Sequence, residues 1–212
     1  MNVQIPLPQK PTVQGLFDPE TNTISYVVSD PQTKDCAIID SVMDFDAASG
    51  TVSSASADKI AAYVQAHHLT VQWILETHVH ADHLSAAPYL KEKIGGRIAI
   101  SKHITEVQQF FGEVFHIGTE LADEAAAFDH LWEDGETFQI GTIPAKALYT
   151  PGHTQADLTY IIGDEEFVGD TLFMPDYGSA RCDFPGGSAE TLFASVQTLF
   201  ALPDETRLFL CH

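Results

Sequence analysis

Short apolar runs separated by turn residues dominate the chain, and they predict β-strands. One run covers residues 24–29 and the next covers residues 36–40. The intervening Asp30-Pro31-Gln32-Thr33 has the composition of a turn, so the pair predicts a β-hairpin. Helical and strand periods then alternate over residues 58–67, 71–76, 85–94 and 97–100. This alternation predicts an α/β layer arrangement.

The second half of the chain repeats strand patterns and ends with one amphipathic helix. Apolar runs predict strands at residues 137–140, 145–149, 158–162, 166–168 and 208–211, and a helix is predicted over 188–202. Other stretches lack such a pattern. Residues 1–23 predict an N-terminal arm, residues 44–57 predict an irregular loop, and residues 112–133 predict no element. We interpret residues 1–212 as a single domain.

The charge balance narrows the range of partners. The 212 residues are 44% hydrophobic, which is enough for a sizeable core, but no apolar run approaches the roughly 20 residues that span a bilayer. Thirty acidic residues against 10 Lys and Arg give a formal net charge of -20. Because such a surface repels nucleic acid and anionic membranes, we expect neither as a partner.

Cysteine usage and the N-terminal residues favour a cytoplasmic location. The chain has three cysteines, Cys36, Cys182 and Cys211, which form no close pair and are odd in number. This usage argues against a disulfide framework. The first residues have neither a basic start nor a long apolar segment, so no secretory signal is visible.

A cluster of metal-binding residue types follows the predicted strand at residues 71–76. His78, His80, Asp82 and His83 supply three imidazoles and one carboxylate. Imidazole nitrogen and carboxylate oxygen are ligands of zinc and of non-haem iron. Because a loop at the end of a strand can direct several side chains to one point, this stretch predicts a metal site rather than a polar turn.

Three other predicted strands end in residues of the same types. His153 follows Gly152, whose missing side chain permits a backbone turn that aims the imidazole back over the sheet. Asp170 follows an apolar run, and His212 lies at the tip of the last strand. Without the first cluster, His153 would be interpreted as a loop histidine, Asp170 as a turn or capping aspartate, and His212 as part of a frayed terminus. Beside the first cluster, they are candidate ligands.

These motifs resemble those of the metallo-β-lactamase superfamily. The likeness consists of His78-x-His80-x-Asp82-His83, Gly152-His153, Gly169-Asp170 and His212, and it covers residues 24–212. The resemblance implies an α/β (α+β) fold, the αββα sandwich, in which two mixed β-sheets are flanked by helices and hold metals at one edge. Hydrolases, nucleases and oxidoreductases share this fold, so the fold does not decide the reaction.

A second motif, which runs from Tyr177 to Ser188, resembles the persulfide dioxygenase (sulfur dioxygenase) branch and its bacterial β-lactamase hydrolase-like group. The resemblance implies one Fe(II) per chain, held by the catalytic residues His78, His153 and Asp170. It implies that O2 oxidises glutathione persulfide to sulfite and glutathione. His80, Asp82 and His83 do not bind iron in that branch. Together with His212, they are the candidates for holding a second metal or supporting the first.

An anionic substrate requires a placed cation in so acidic a chain. Arg181 lies in the second motif, and we predict that its guanidinium binds a glutathione carboxylate. The alternative is an ion pair of Arg181 with Asp183 or Asp176. Asp183 is also a candidate for orienting Arg181 at the substrate site, and Tyr177 for lining the pocket.

Two other interpretations stay open. A glyoxalase II-like thioester hydrolase would use Zn(II), one or two ions per chain, and would add His80, Asp82, His83 and His212 to the ligand set. A non-catalytic metal-binding or dimer module is the other, and the sequence leaves a homodimer open. The resemblance also implies a C-terminal extension beyond the last histidine, and we expect that extension to be missing after His212.

Overall fold

Fourteen strands and four helices form the described part of the chain, residues 10–116 and 127–212 of a computed structural model. The first seven strands are β1 (Thr12–Asp18), β2 (Thr23–Ser29), β3 (Asp35–Ile39), β4 (Val42–Asp46), β5 (Thr51–Ser53), β6 (Thr70–Leu75) and β7 (Leu84–Ser85). The others are β8 (Arg97–Ser101), β9 (His130–Trp132), β10 (Thr137–Ile140), β11 (Ile143–Tyr149), β12 (Leu158–Ile162), β13 (Glu165–Phe167) and β14 (Arg207–Phe209). The helices are α1 (Ala55–Ala66), α2 (Ala87–Ile94), α3 (Ile104–Phe115) and α4 (Ala189–Phe200), and a 3-10 turn covers Gly169–Thr171.

The strands form two large mixed sheets and one small sheet. The first sheet has the order β1-β2-β3-β6-β8-β9, antiparallel as far as β3 and parallel from β3 to β9. The second keeps the chain order from β10 to β14, and only its β13–β14 pair is parallel. The small sheet has the order β5-β4-β7. Two mixed sheets are what the sequence predicted.

Two apolar cores fix the order of the layers. The inner faces of the large sheets share one core, in which Tyr26 of β2 meets Phe167 of β13 edge to face at 5.3 Å between ring centroids. Successive residues of a strand point to opposite faces, so Ile39 joins this inner core while Ile38 faces outward. Ile38 packs with Ile60 of α1 in the second core, which also includes residues of α2. On the side of the second sheet, the Ser195 hydroxyl of α4 donates to the carbonyl of Pro151 after β11 at 2.7 Å. Two mixed sheets flanked by helices, the αββα sandwich, are therefore confirmed.

Two stretches without a recognised pattern contain strands. The predicted arm over residues 1–23 is wrong for its later part, because Thr12–Asp18 pairs with β2 along its whole length. The predicted loop over residues 44–57 contains most of β4, all of β5 and the start of α1. Most side chains of β1 and all of β5 are at least partly exposed, so apolar alternation is weak there. Residues 1–9 lie outside the described residues.

The unassigned residues 112–133 also contain regular structure at both ends. Helix α3 extends to Phe115 and β9 covers His130–Trp132, whereas residues 117–126 lie outside the described residues. Among the helices of the described ranges, none has both the length and the apolar content that crossing a bilayer requires.

Asp30 joins the two large sheets. Its carboxylate, at the end of β2, accepts hydrogen bonds from the amide and the hydroxyl of Thr142 at 2.8 and 2.7 Å, in the turn between β10 and β11. It also accepts one from the Gln32 amide at 2.8 Å. Burial alone would raise the pKa of this carboxyl, but the hydrogen bonds from Thr142 and Gln32 outweigh burial and lower the pKa of Asp30 to about 2. The ionised form therefore stabilises this contact.

Asp30→Asn is expected to lower the free energy of unfolding by about 1–3 kcal/mol at neutral pH, because buried donors lose a charged acceptor. The folded pKa lies below the unfolded value of about 3.9, so the contribution is full above about pH 5 and is lost as the pH falls toward about 2. Urea unfolding at several pH values measures the effect. The difference from the wild type should shrink in acid, and a difference independent of pH would contradict this account. Asp204→Asn, in an exposed turn after α4, is the control.

Candidate metal centre

Three loops that follow strand ends bring His78, His153 and Asp170 together. His78 follows β6, His153 follows β11, and Asp170 lies in the 3-10 turn after β13. One ligand atom from each lies within 4.8 Å of the other two. Oδ2 of Asp170 is 3.8 Å from Nε2 of His78 and 3.6 Å from Nε2 of His153. The structure thus places these three predicted residues at one point, at the edge between the two large sheets.

Hydrogen bonds on the far ring nitrogens leave both Nε2 atoms available to a metal. Nδ1 of His153 donates to the backbone carbonyl of Arg181 at 2.8 Å. Nδ1 of His78 is 3.0 Å from Oγ1 of Thr77, and that hydroxyl donates to Asp40 at 2.9 Å. Because the Thr77 hydroxyl donates its hydrogen to Asp40, its oxygen accepts a hydrogen bond from Nδ1 of His78. With Nδ1 as the donor, each imidazole has Nε2 as the atom that can bind a metal, the arrangement of metal-binding histidines.

The buried group formed by His78, His153 and Asp170 is suited to binding a cation. Burial, followed by the charge of nearby imidazoles, lowers the pKa of His78 well below its usual value and keeps the ring neutral. Burial also raises the pKa of the Asp170 carboxyl, whose Oδ1 has no hydrogen-bond partner among the described residues. A buried acceptor of this kind is costly unless a cation or water satisfies it. Two imidazoles and one carboxylate suit Fe(II) or Zn(II).

Two glycines allow the ligand loops to approach their neighbours. Gly152 has φ +147°, and a Cβ there would lie 2.4 Å from the backbone of Leu192 in α4. Gly169 has φ +52°, and a Cβ there would lie 2.5 Å from Oγ1 of Thr77. Each glycine directly precedes a candidate ligand. The close packing at Gly152 agrees with the turn that the sequence predicted before His153.

His80 is bound by two buried carboxylates. Its Nε2 is 3.2 Å from Oδ1 of Asp40 and 3.5 Å from Oε2 of Glu76. Burial opposes a charge on this imidazole, but Asp40 and Glu76 outweigh burial and raise the pKa of His80 well above its usual value. A protonated imidazole offers no lone pair to a metal. In the structure, His80 therefore balances buried negative charge.

The remaining candidates form a second group beside the first. One ligand atom each from His80, Asp82 and His83 lies within 4.8 Å of the others. Nδ1 of His80 and Nε2 of His83 have no hydrogen-bond partner within the described ranges. Nε2 of His212 is 3.5 Å from Asp82 and 3.6 Å from Oδ1 of Asp170, so it lies between the two groups. The side chains for a second ion are therefore close together as well.

Glu76 and Thr77 were not recognised as part of the site from the sequence. For Asp40, the sequence did not distinguish a role beside the metal loop from that of an ordinary turn or capping residue. The available signal was an acidic residue at the end of each of two apolar runs that become the neighbouring strands β3 and β6. Because parallel strands bring equivalent ends together, these carboxylates had to lie near the histidine loop.

A pocket of about 550 Å³ opens onto this centre and reaches His153 and Asp170. Tyr177 lines the pocket and is 83% exposed. Arg181 is the only Lys or Arg among the described lining residues. Its guanidinium pairs with both oxygens of Asp183, at 2.6 and 2.7 Å. The ion pair that the sequence offered as an alternative is thus present, and Arg181 borders the pocket as well.

Curated relatives cover most of this chain. A Beta-lactamase hydrolase-like protein of Xylella fastidiosa is 53% identical over 96% of this chain and 47% of its own length. Glyoxylase B2 of Dictyostelium discoideum is 44% identical over 91% of this chain and 67% of its own. The mitochondrial Persulfide dioxygenase ETHE1 of Bos taurus is 26% identical over 94% and 67%, respectively. The chain thus spans about half of the hydrolase-like relative.

A solved structure and a family description agree with these relatives. The crystal structure of ETHE1 from Myxococcus xanthus superimposes with a TM-score of 0.75 at 29% identity, covering 95% of this chain and 75% of that one. The family described as the Metallo-beta-lactamase superfamily matches residues 19–212, which include every candidate ligand. The fold and the centre therefore have one common explanation: the chain belongs to the metallo-β-lactamase superfamily.

Proposed function

We propose that this chain is an iron-dependent persulfide dioxygenase, which oxidises glutathione persulfide with O2 to sulfite and glutathione. The observation that carries the proposal is the pairing of His80 with Asp40 and Glu76, which leaves His78, His153 and Asp170 as the group for one ion. His80 is paired with two buried carboxylates, so one ion would be held by two imidazoles and one carboxylate. That ligand set is typical of non-haem Fe(II) oxygenases and leaves other coordination positions open.

The residues of the chain have distinct tasks in this proposal. His78 and His153 would hold the ion through Nε2, and Asp170 through its carboxylate. Bound Fe(II) supplies the redox chemistry that O2 requires and a position for the persulfide sulfur, whereas Zn(II) has no suitable redox state. Thr77 and the backbone carbonyl of Arg181 hold the two imidazoles in the required tautomer. All three ligand side chains are buried, which limits the access of water to them.

Arg181 is suited to binding the anionic substrate. A guanidinium has five N–H donors, of which Asp183 uses two, so three remain for a glutathione carboxylate. The ring of Phe184, 4.9 Å from the guanidinium carbon, and Asp183 together restrict the orientation of the side chain. Asp82 and Asp170 also line the pocket and repel an anion, so this cation compensates for them.

Similarity to named relatives supports the same reaction. One relative is a persulfide dioxygenase, and the solved ETHE1 structure has the same fold over nearly all of this chain. The sequence motif from Tyr177 to Ser188 lies at the pocket that opens onto the centre, where a substrate-specific segment would be expected.

The second candidate is a thioester hydrolase with two zinc ions. The group formed by His80, Asp82 and His83 favours it, because two of its ring nitrogens lack hydrogen-bond partners in the described part of the chain. Asp170 also lies beside His212, at 3.6 Å, so its carboxylate would help to hold a second ion as well as the first. Zinc would supply a hydroxide at neutral pH for attack on a thioester. Glyoxylase B2, at 44% identity, belongs to the relatives that support this alternative.

Metal analysis of protein purified without oxygen is the first test, combined with oxygen-uptake kinetics on glutathione persulfide. We expect about one iron per chain and oxygen uptake by the wild type. His78→Ala and Asp170→Ala should lose the metal and reduce uptake by more than the roughly 100-fold that loss of an outer hydrogen-bond partner costs. His67→Ala, at an exposed position after α1, should behave as the wild type. Two zinc ions per chain, together with cleavage of S-lactoylglutathione without O2, would contradict the proposal.

His83→Ala distinguishes the one-ion site from the two-ion site. The iron proposal predicts unchanged iron content and unchanged oxygen uptake, because His83 is not a ligand of that ion. The zinc alternative predicts the loss of one of two zinc ions, together with loss of hydrolysis. Substitution of His80 is less informative, because it would leave Asp40 and Glu76 buried without their cation at a cost of about 3–5 kcal/mol.

Arg181→Ala should raise KM for glutathione persulfide about tenfold, since the substrate loses a charge-assisted hydrogen bond from the guanidinium. Iron content should not change, because only the backbone carbonyl of Arg181 contacts His153. Asp183→Asn should have a smaller effect on KM, since it loosens the guanidinium without removing it. Lys102→Ala, which removes an exposed cation paired with Glu133, is the control. Steady-state oxygen uptake measures all three, and an unchanged KM in Arg181→Ala would exclude Arg181 from substrate binding.

A further inference from the structure

Two separate pockets reach the candidate metal centre. The substrate pocket described above reaches His153 and Asp170, and a second cavity of about 320 Å³ reaches His78. The described linings of the two pockets have no residue in common. A molecule in the second cavity would therefore approach the centre from a different direction than a molecule bound beside Arg181.

Most of the side chains around this second cavity are apolar. Its floor consists of Ala87, Ile98 and Ile100, which are nearly or fully buried. Its mouth includes Val79 and Leu84, which are 44% and 47% exposed. Exposed aliphatic side chains at the mouth are thus followed by buried ones inside, in a cavity that His78 also lines.

Some of the polar groups at the cavity are bound to one another. Glu76 accepts a hydrogen bond from Ser85 at 2.5 Å through one carboxylate oxygen, and its other oxygen faces His80. Nδ1 of His80, Nε2 of His83 and Oε2 of Glu76 have no hydrogen-bond partner in the described residues. Two such nitrogens can hold a water molecule locally, but they do not make the rest of the wall polar.

We propose that this second cavity binds O2 and conducts it to the metal centre, while the persulfide enters through the pocket beside Arg181. The proposal rests on the proposed function. Apolar cavities in proteins stay dry and take up small apolar molecules such as xenon. O2 is uncharged and apolar, whereas a glutathione derivative carries charges whose burial in such a cavity would be unfavourable. Separate routes would let both substrates reach one ion without blocking each other.

Xenon is the probe of the cavity itself. A crystal of the full chain pressurised with xenon should show xenon between His78 and Ile100 in the wild type. Leu84→Trp, which fills the mouth at an exposed position, should remove this xenon or strongly reduce its occupancy. A cavity filled by ordered water at His80 and His83, or a wild type without xenon, would overturn the proposal. This measurement does not depend on catalysis.

Oxygen kinetics test the route. Leu84→Trp should raise KM for O2 severalfold, while kcat at saturating O2 and KM for glutathione persulfide stay at their wild-type values. Leu84→Ala should not raise KM for O2, and Val114→Trp, at a 51% exposed position on α3, is the size-matched control. If xenon binds in the cavity but KM for O2 is unchanged in Leu84→Trp, the cavity exists but is not the route of O2, and the proposed function is unaffected. A wild type that binds iron but consumes no O2 would overturn the proposed function and this route with it.

Discussion

The buried carboxylate of Asp40 organises the loop on which the metal centre depends. It accepts hydrogen bonds from the amide and the hydroxyl of Thr77, at 2.8 and 2.9 Å, and it pairs with His80. Its own backbone is held in a left-handed conformation, with φ 50°, by hydrogen bonds to Leu75 and Ser25. Because Thr77 in turn sets the tautomer of His78, one carboxylate at the end of β3 determines how the first ligand presents its lone pair.

This arrangement gives His80 a physical role that does not require a metal. Asp40 and Glu76 are each 3% exposed, and two such carboxylates repel each other in a medium of low polarity. The imidazolium of His80 between them relieves this repulsion, and its removal would leave two uncompensated buried acids. A histidine of the ligand motif can therefore be required for folding in a chain that uses one ion, and its presence in the sequence does not by itself indicate a second ion.

The predictable part of the site is the part that depends on strand ends. His78, His153 and Asp170 became candidates because each follows an apolar run, and strand ends at one edge of a sandwich lie close together. The choice of these three among the seven candidates was what the family resemblance implied. The partner of His80 was not predictable, because the choice between a metal and Asp40 depends on side-chain orientation within a few ångströms. Arg181 was ambiguous for the same reason, and the structure shows it beside the pocket and paired with Asp183 at once.

The fold was predictable to a similar degree and for a related reason. Strands that bury at least one face have a strong apolar signal, and β2, β3, β6 and β12 were recognised at nearly their observed bounds. The β4–β5 hairpin was missed, because the three side chains of β5 are all exposed and give no alternation. Exposed strands are stabilised by pairing with neighbours rather than by their own burial, and a single sequence carries little information about pairing.

The centre lies across two sheets, so its geometry depends on how firmly the sheets are joined. At the metal edge, the Leu158 amide donates to the carbonyl of Thr77 at 2.8 Å, and the Tyr160 hydroxyl donates to the carbonyl of Glu76 at 2.9 Å. At the opposite edge, Asp30 and Thr142 make the corresponding connection. His78 follows a strand of one sheet, whereas His153 and Asp170 follow strands of the other, so these contacts fix the positions of the ligand atoms relative to one another. An ion held by both sheets would bind the folded chain far more tightly than the unfolded one and would stabilise the fold in return.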